Sequence, residues 1–460
     1  MLLAHHLTNP RPFWRSFATK ARYVPTSGTY PQGFVVGGVH CGVKKKPDQP
    51  DLALIGSQVP CRAAAVFTQN KFTAAPVQIS RFVLDHSRGM NIQGIVTNSG
   101  CANAVTGTVG LEHARRMSQV ASQALTTVSG GSSQPTDNAQ NGMQALVMST
   151  GVIGQRLPID TVERGIRDCA GQLGNTHEHW LRFSQAYMTT DTFPKLQSSE
   201  YQLPSGLRYR MAGVSKGAGM IHPNMATLLG TVATDLAVTS ECLRDALKFA
   251  VDRSFNAITV DGDTSTNDTI AILANGQCNA SPTAAPLATG NASLITDNQS
   301  ADFLAFQEHL TDFTKALAQL VVRDGEGATK FVTVAVKGAK VFSEAKTIAM
   351  TIASSSLVKT ALYGQDANWG RIICAVGYTG GVTVDPHTIN LRLLPADGST
   401  PLQLVEHGEP LSVDEVRALD VLQMSDIHIE VDLAVGDAAA EVYTCDLSHE
   451  YITINADYRS

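Results

Sequence analysis

The sequence predicts a layered α+β or α/β fold and argues against a helical bundle. The chain has 460 residues, enough for two or three domains or one large layered unit. Hydrophobic residues make up 43% and charged residues 17%, which is the composition of a globular protein. Segments with helical apolar spacing and segments with strand-like alternation are interspersed along the chain, and this mixture is typical of layered folds.

The individual elements follow from local patterns. Residues 94–98 are an apolar run ending in a turn, and residues 330–336 alternate; both predict strands. Residues 111–128 and 303–322 carry apolar positions at helical spacing, and Ser240 is a candidate N-cap for another helix. The end of the chain predicts strands at 427–433, 440–445 and 451–455, while residues 129–135 and 279–300 predict surface loops.

Charge and composition argue against several classes of function. The net charge of −6 and the 6% aromatic content predict no nucleic-acid partner. No apolar run approaches the roughly 20 residues of a membrane helix, so we expect no membrane insertion. The eight cysteines form no Cys-x-x-Cys pair, which argues against a zinc ribbon or a disulfide framework and predicts buried thiols in a reducing compartment.

The N-terminus has the composition of a mitochondrial transit peptide. Residues 1–43 contain no Asp or Glu, but they contain four basic residues and several hydroxyl residues. Arg15 lies three residues before Ala18, a spacing that resembles a matrix-protease cleavage site, so we predict removal of residues 1–17 and a location in the mitochondrial matrix. Pro10 and Pro12 weaken the helix expected of such a peptide, and a basic tail is the alternative.

The segment from Lys216 to Gly230 allows three interpretations. Gly217 and Gly219 beside Lys216 suggest a phosphate loop, although the spacing matches neither the P-loop nor the dinucleotide fingerprint. A plain turn before a helix is the second. The third is backbone self-cleavage, in which the Thr227 hydroxyl attacks the carbonyl of Ala226 and a new N-terminal threonine results, whose α-amine then serves as its base. The pattern alone does not choose among them.

Other polar segments are weaker candidates. Residues 260–269 resemble a calcium loop but have Thr266 in place of the required glycine, so a hydrogen-bonded turn or polar wall is favoured. His177 and His179 offer two metal ligands, but a solvated loop is the simpler interpretation. His222 is a candidate base, or it orders the turn. We therefore predict no metal site.

Two more segments suggest a role in acyl chemistry. Thr150 and Gly151 place a hydroxyl and a backbone N–H side by side, as an oxyanion hole requires, although Thr-Gly is also a common step from strand to turn. Glu326 lies between two glycines just past a predicted helix, where the alternative is a helix C-cap with an incidental acid.

Taken together, these segments resemble the ornithine acetyltransferase, or glutamate N-acetyltransferase, family of arginine biosynthesis. Residues 216–227 resemble its self-cleavage motif and 261–269 its second motif. Residues 97–104 and 364–371 resemble motifs nearer the two ends of the chain. The resemblance extends from about residue 30 to residue 460 and implies a fold like that of N-terminal-nucleophile enzymes. Ala218 and residues 279–300 depart from the pattern.

The resemblance implies a precursor that is cut between Ala226 and Thr227 into an α chain, 18–226, and a β chain, 227–460, which associate as α2β2. It implies that Thr227 carries the acetyl group from N2-acetylornithine to glutamate, without metal or organic cofactor. It implies a catalytic role for Thr150 and Gly151, and substrate contacts from the following residues: Thr190, with Thr189 as its neighbour, Lys216, Thr227, Glu326, Asn455 and Ser460. Some members of the family also use acetyl-CoA, and the sequence leaves this open.

Two other classes of function remain open at this point. An N-terminal-nucleophile amidohydrolase shares the self-cleavage and Thr227 but passes the acyl group to water. A metabolite-binding protein without catalytic activity needs no internal cut.

Overall fold

The computed structural model describes residues 20–128, 142–222, 228–278 and 294–456. The strands of this part, numbered in chain order, are β1 Phe34–Val39, β2 Leu52–Phe67, β3 Ile92–Cys101, β4 Ala145–Val152, β5 Lys195–Gln202, β6 Arg208–Lys216, β7 Leu229–Thr234, β8 Thr269–Ala274, β9 Phe331–Ala339, β10 Asn390–Pro395, β11 Leu402–Glu406, β12 Glu409–Pro410, β13 Asp426–Asp432 and β14 Ala438–Cys445. Its α-helices are α1 Ala75–Ser87, α2 Gly107–Thr126, α3 Ile159–Ala170, α4 His177–Tyr187, α5 Ser240–Asp252, α6 Ala301–Arg323, α7 Phe342–Ser354, α8 Ser356–Tyr363, α9 Trp369–Gly377, α10 Glu415–Gln423 and α11 His449–Ala456.

The first sheet is the middle layer of three. Its strand order is β4-β3-β2-β8-β7-β6-β5, and β1 pairs with β2. In β8, Ile270 and Ile272 point to the core that contains α5 and α6. Ala271 and Leu273 point to the opposite core, which contains α1 to α4. Successive side chains of a strand face opposite sides, so the wholly apolar run of β8 reflects burial on both faces of the sheet.

The second sheet has the order β12-β11-β10-β13-β9-β14, with β9 parallel to β13 and antiparallel to β14. Helices α7 to α10 contribute to the core on this sheet. Phe331 of β9 and Tyr443 of β14 stack with ring centroids 5.9 Å apart and belong to the core under α5 and α6. The two sheets are therefore joined through a shared apolar contact, and the layered α/β prediction is confirmed.

Most predicted elements are confirmed, with small shifts of their ends. The predicted strands 94–98, 330–336, 427–433 and 440–445 correspond to β3, β9, β13 and β14, and the helices 111–128 and 303–322 correspond to α2 and α6. Residues 129–135 and 279–293 of the predicted loops lie outside the described residues. The rest of the second loop leads to Ser300, whose side chain accepts a hydrogen bond from the Phe303 N–H at 3.2 Å and caps α6.

Two local predictions are wrong. Residues 451–455 are helical, within α11, although their β-branched residues favour a strand. The hydroxyl of Ser448 accepts a hydrogen bond from the Tyr451 N–H at 3.3 Å, and such a cap supports the first turn of a helix. The N-cap of α5 is Thr239 and not Ser240, because it is the Thr239 hydroxyl that accepts from the Cys242 N–H.

All eight cysteines lie in the described residues and none forms a disulfide there; most are buried, but Cys374 is exposed. None of the helices in the described part of the chain combines the length and apolar character that crossing a bilayer requires.

Candidate active site

A cavity of about 290 Å³ lies where several loops and strand ends meet. Small-molecule sites usually start near this size, at roughly 300 Å³. Its lining residues come from both halves of the sequence: Ala102, Thr150, Gly151, Val152, Ile153, Thr189, Thr190, Lys216, Gly219, Met220, Leu228, Leu229, Ser265, Asn267, Asp268, Glu326 and Asn455. The structure therefore brings six of the residues singled out in the sequence to one place: Thr150, Gly151, Thr190, Lys216, Glu326 and Asn455. Thr189 lines the cavity as well.

Three residues of the sequence-based site lie outside the described residues. They are Ala226, Thr227 and Ser460. The next described residue after Thr227 is Leu228, which lies on the cavity wall, and Asn455 on the wall precedes the tail that ends at Ser460.

Thr150 and Gly151 lie near the carboxyl end of β4, paired with Ser99 and Gly100 of the parallel strand β3. The φ angle of Gly151 is +129°, which L side chains rarely adopt. A Cβ atom at this position would lie 2.2 Å from the Gly100 carbonyl carbon. Glycine is thus required here by both the backbone angle and the close approach of β3.

The backbone beside Thr150 is held by two asparagines. Asn98 accepts a hydrogen bond from the Ser149 hydroxyl at 2.6 Å and donates to the Cys101 carbonyl at 2.8 Å. Asn267 donates to the carbonyls of Ala102 at 2.6 Å and Ser149 at 2.8 Å. Segment 260–269 thereby fixes the loop after β3 against the end of β4, and its interpretation as a hydrogen-bonded scaffold is confirmed.

Lys216 is the last residue of β6 and pairs with Leu229 at the start of β7. The residue is only 9% exposed. Within the described part of the chain, its ammonium makes no hydrogen bond and no ion pair. Burial lowers the pKa of Lys216, and the nearby Lys195 adds to this, whereas Asp191, Asp268 and Glu326 act in the opposite direction. The geometry leaves a buried cation available to an anionic ligand in the cavity.

Glu326 faces this cation from the segment that follows α6. Its backbone N–H donates to the Ala218 carbonyl at 2.8 Å, and its Oε2 accepts a hydrogen bond from Asn455 Nδ2 at 2.8 Å. A Cβ atom on Gly219 would lie 2.3 Å from that Oε2, so glycine makes room for the carboxylate. The C-cap alternative for Glu326 is wrong, because Asp324 is the C-cap of α6.

The segment after Lys216 is pinned to the start of segment 260–269. Asp261 accepts hydrogen bonds from the N–H groups of Met220 at 2.6 Å and Ile221 at 2.9 Å. His222 Nδ1 lies 3.1 Å from the Thr259 hydroxyl, and His222 lines a second cavity and not the one that contains Thr150 and Lys216. The role of ordering the turn is thus supported over that of a base. The next described element after His222 is strand β7, which does not support the interpretation of this segment as a turn before a helix.

His177 and His179 lie in helix α4, so the prediction that they belong to a solvated loop is wrong. His177 contacts the Tyr30 hydroxyl at 2.5 Å and the Pro25 carbonyl at 3.1 Å, and His179 contacts the Thr176 hydroxyl at 2.7 Å. Both ring nitrogens of His177 and Nδ1 of His179 are thus used in contacts within the fold. Among the described residues, no group of three or more His, Cys, Asp or Glu is placed to hold a metal ion.

Several polar residues around the cavity escaped sequence analysis. Asp268 is 2% exposed, and its Oδ2 has no hydrogen-bond partner among the described residues. Burial raises the pKa of Asp268 well above its ordinary value. Asp191, Lys195 and Asp324 form a buried ion cluster behind the cavity wall. Only Asp268 had a signal, its place at the end of an unusually polar segment, because the cluster joins Asp191 and Lys195 to Asp324, which lies more than a hundred positions further along the chain.

Comparison with known proteins places the chain in a family. Residues 35–460 match the model of the ArgJ family. The chain belongs to the ArgJ family. The mitochondrial arginine biosynthesis bifunctional protein ArgJ of Neurospora crassa is 53% identical over 456 residues, which cover 96% of this chain and 92% of that protein. The protein of the same name from Podospora anserina is 52% identical over 456 residues, with the same coverage.

A solved structure is also similar. The ornithine acetyltransferase of Mycobacterium tuberculosis, crystallised with ornithine, is 30% identical, with a TM-score of 0.35 over 44% of this chain and 98% of that chain.

Proposed function

We propose that this member of the ArgJ family is a mitochondrial acyltransferase of arginine biosynthesis. It transfers the acetyl group of N2-acetylornithine to glutamate through an acetyl ester on Thr227. Family membership over residues 35–460 and the names of the fungal relatives support the pathway and the location. The observation that carries the proposal is the meeting of Thr150, Gly151, Lys216 and Glu326 around one cavity whose wall includes Leu228, next to Thr227.

The nucleophile would be made by the protein itself. Attack of the Thr227 hydroxyl on the Ala226 carbonyl gives an ester, and its hydrolysis releases an α chain, 18–226, and a β chain that begins at Thr227. An α-amine ordinarily has a pKa of about 8, so a substantial fraction is neutral in a mildly alkaline compartment. The neutral amine of Thr227 can then accept the proton of the Thr227 hydroxyl.

Acyl transfer then takes place in two steps, acylation of Thr227 and transfer of the acetyl group to glutamate. Thr227 Oγ attacks the amide carbonyl of N2-acetylornithine, its proton passes through the α-amine to the departing nitrogen, and ornithine leaves. The glutamate amine attacks the acetyl ester, and its proton returns to Thr227 as N-acetylglutamate departs. Thr150 Oγ and the Gly151 N–H stabilise the oxyanion in both steps, and removing one such donor usually costs about 3 kcal/mol of transition-state stabilisation.

Charge assigns the substrate contacts. Both amino acids carry an α-carboxylate, which suits the buried ammonium of Lys216, a group with no ion pair among the described residues. A cationic amine suits Glu326, whose carboxylate is oriented by Asn455. Thr190 and Thr189 lie on the cavity wall within reach of the same ligand, and Ser460 would complete the site from the chain end.

Variants of Thr227 test the nucleophile. Purified protein is incubated with N2-acetylornithine carrying a radiolabelled acetyl group, with and without glutamate. Thr227→Ala should give an uncut chain that neither retains label nor forms labelled N-acetylglutamate. Thr227→Ser is the matched control: it keeps the hydroxyl but loses the methyl group that restricts χ1, so it should cut and transfer more slowly.

The same assay separates the rival functions. An amidohydrolase would release labelled acetate at a rate that glutamate does not change. With acetyl-CoA as the only acetyl donor, formation of N-acetylglutamate from glutamate would show that the protein also uses acetyl-CoA. Acetyl transfer by Thr227→Ala, or its cleavage into two chains, would refute the nucleophile assignment.

A further inference from the structure

Behind the cavity wall, three segments with proposed substrate contacts meet at a buried ion cluster. We define the cluster as Asp191, Lys195 and Asp324. Lys195 Nζ lies 2.5 Å from Asp191 Oδ1 and 2.7 Å from Asp324 Oδ2, and all three side chains are at most 1% exposed. At the edge of the cluster, Lys20 Nζ donates to Asp324 Oδ1, and the two atoms are 3.1 Å apart.

Each aspartate is tied to the backbone of a cavity segment. Asp191 directly follows Thr190, and its Oδ1 accepts from the N–H of Gly217, next to Lys216, at 2.8 Å. Its Oδ2 accepts from the Thr189 N–H at 2.9 Å. The cluster therefore fixes the position of the Thr189-Thr190 segment relative to the end of β6.

The second aspartate reaches the third segment. Asp324 is the C-cap of α6 and lies two residues before Glu326, and its Oδ2 accepts from the Thr192 N–H at 2.8 Å. Lys195, the first residue of β5, is thus the one cation of the described chain that joins both aspartates. It links the segments of Thr190, Lys216 and Glu326, which come from three different parts of the sequence.

The electrostatics agree with a fixed, charged arrangement. Burial alone would raise the pKa of Asp191, but Lys195, Lys216 and the Gly217 N–H outweigh it and hold this pKa well below its ordinary value. Burial alone would lower the pKa of Lys195, but Asp191 and Asp324 outweigh it, and the net shift is upward. These shifts favour the charged forms of Asp191 and Lys195, and Asp191 also favours the charged form of Lys216.

We propose that Lys195 is a positioning residue for the amino-acid substrates, because it holds the segments of Thr190, Lys216 and Glu326 in register across the cavity through Asp191 and Asp324. This inference rests on the proposed acetyl transfer. Thr150 and Gly151 are held separately, by Asn98 and Asn267. Loss of the cluster should therefore weaken substrate binding more than it slows the chemical step.

The decisive variant removes one cation and one anion together. Lys195→Met alone would leave two buried carboxylates facing each other and threatens folding. The double variant Lys195→Met/Asp324→Asn keeps the charge balance and similar side-chain volumes. Asp324→Asn alone leaves the Asp191–Lys195 pair intact and provides the same test if the double variant does not fold. Arg323→Met is the matched control: Arg323 lies next to Asp324 but pairs with Asp426 at 2.6 Å, away from the cavity.

The readouts are thermal stability and steady-state KM and kcat for N2-acetylornithine and glutamate. We expect the double variant to melt below the wild type, because Asp191 stays charged and loses Lys195, and Asp324→Asn to melt nearer to it. In whichever variant folds, both KM values should rise about tenfold or more and kcat should fall less than about threefold. Arg323→Met should leave both KM values unchanged. Unchanged KM values in the folded variant, or a loss confined to kcat, would overturn the positioning role. Absence of acetyl transfer in the wild type would instead refute the proposed function.

Discussion

Two buried lysines near the cavity differ in what surrounds them. Lys195 has two carboxylates within hydrogen-bond distance, and its pKa is raised despite burial. Lys216 has no ion pair among the described residues, and burial lowers its pKa. A buried charge without a partner is costly, so the fold retains Lys216 at an expense in stability that a ligand would offset.

Lys216→Met should therefore stabilise the protein while it abolishes substrate binding. The lowered pKa means that the folded state holds the Lys216 proton more weakly than the unfolded state. Below that pKa the cost is fully present, and it disappears as the pH rises through it toward the ordinary 10.5. We expect a gain of about 1–2 kcal/mol in unfolding free energy at neutral pH, which shrinks in alkaline buffer. Chemical denaturation at several pH values measures it.

The paired lysine is the natural control for that experiment. Lys195→Met leaves two buried carboxylates without their cation, and breaking such a pair typically costs about 3–5 kcal/mol. The two lysine-to-methionine changes should thus shift stability in opposite directions. A destabilised Lys216→Met would mean that the Lys216 ammonium has a partner in the folded protein.

At the scale of elements, helix α11 is unusual because none of its residues is buried. Ile452 is 64% exposed, yet Asn455 of the same helix hydrogen-bonds Glu326 in the cavity. An exposed terminal helix normally tolerates truncation. Here the helix contributes little to stability, but it carries one wall of the candidate site.

Deletion of residues 457–460 should separate stability from function. We expect a precursor that folds and is cut as in the wild type, because the deleted residues follow α11, a helix in which no residue is fully buried. Both KM values should rise or turnover should fall, because Ser460 is lost and Asn455 becomes the penultimate residue of the shortened chain. Kinetics of the truncated protein test this, with Thr453→Ala on the exposed part of α11 as the control. An unchanged kcat/KM would move the site away from the tail.

At the scale of the whole molecule, the proposed cut falls between β6 and β7, two neighbouring strands of one sheet. Strands β1 to β6 belong to the α-chain segment, whereas β7 and β8 belong to the β-chain segment. In the first sheet, β7 and β8 lie between β6 on one side and β2 on the other. Separation of the two chains would break both the β6–β7 and the β2–β8 ladders and expose the apolar cores on either face.

The mature protein should therefore run as two bands on a denaturing gel but elute as one species from a native sizing column. N-terminal sequencing of the two bands should give Ala18 or a neighbouring residue for one and Thr227 for the other. Two chains that separate without denaturant would contradict the interleaved sheet, and an N-terminal Met1 in protein from purified mitochondria would refute the transit peptide. The Thr227→Ala chain, which should remain uncut, is the control, and its native elution should match that of the cut protein.

From the sequence alone, one could predict most of the helices and strands and the segments whose residues are capable of acyl chemistry. Apolar periodicity located β9, β13, β14, α2 and α6, because burial of one face imposes a repeat that is visible locally, and a continuous apolar run located β3, which is buried on both faces. It failed at residues 451–455, where four β-branched or aromatic positions suggested a strand but a serine cap and an exposed surface location allow a helix. The motifs around Thr150, Lys216 and Asp261 stood out because dense polar and glycine residues are unusual beside apolar strands.

Which of these residues lie together around the cavity follows from the tertiary structure and not from the sequence pattern. The sequence could not show that Asn267 reaches the end of β4, or that the single side chain of Lys195 joins Asp191 and Asp324. These contacts depend on strand order in the first sheet and on where α6 ends, and neither leaves a local pattern. The cost of burying a charge then separates Lys195 from Lys216: one buried lysine is stabilised by the fold, and the other is left for a ligand.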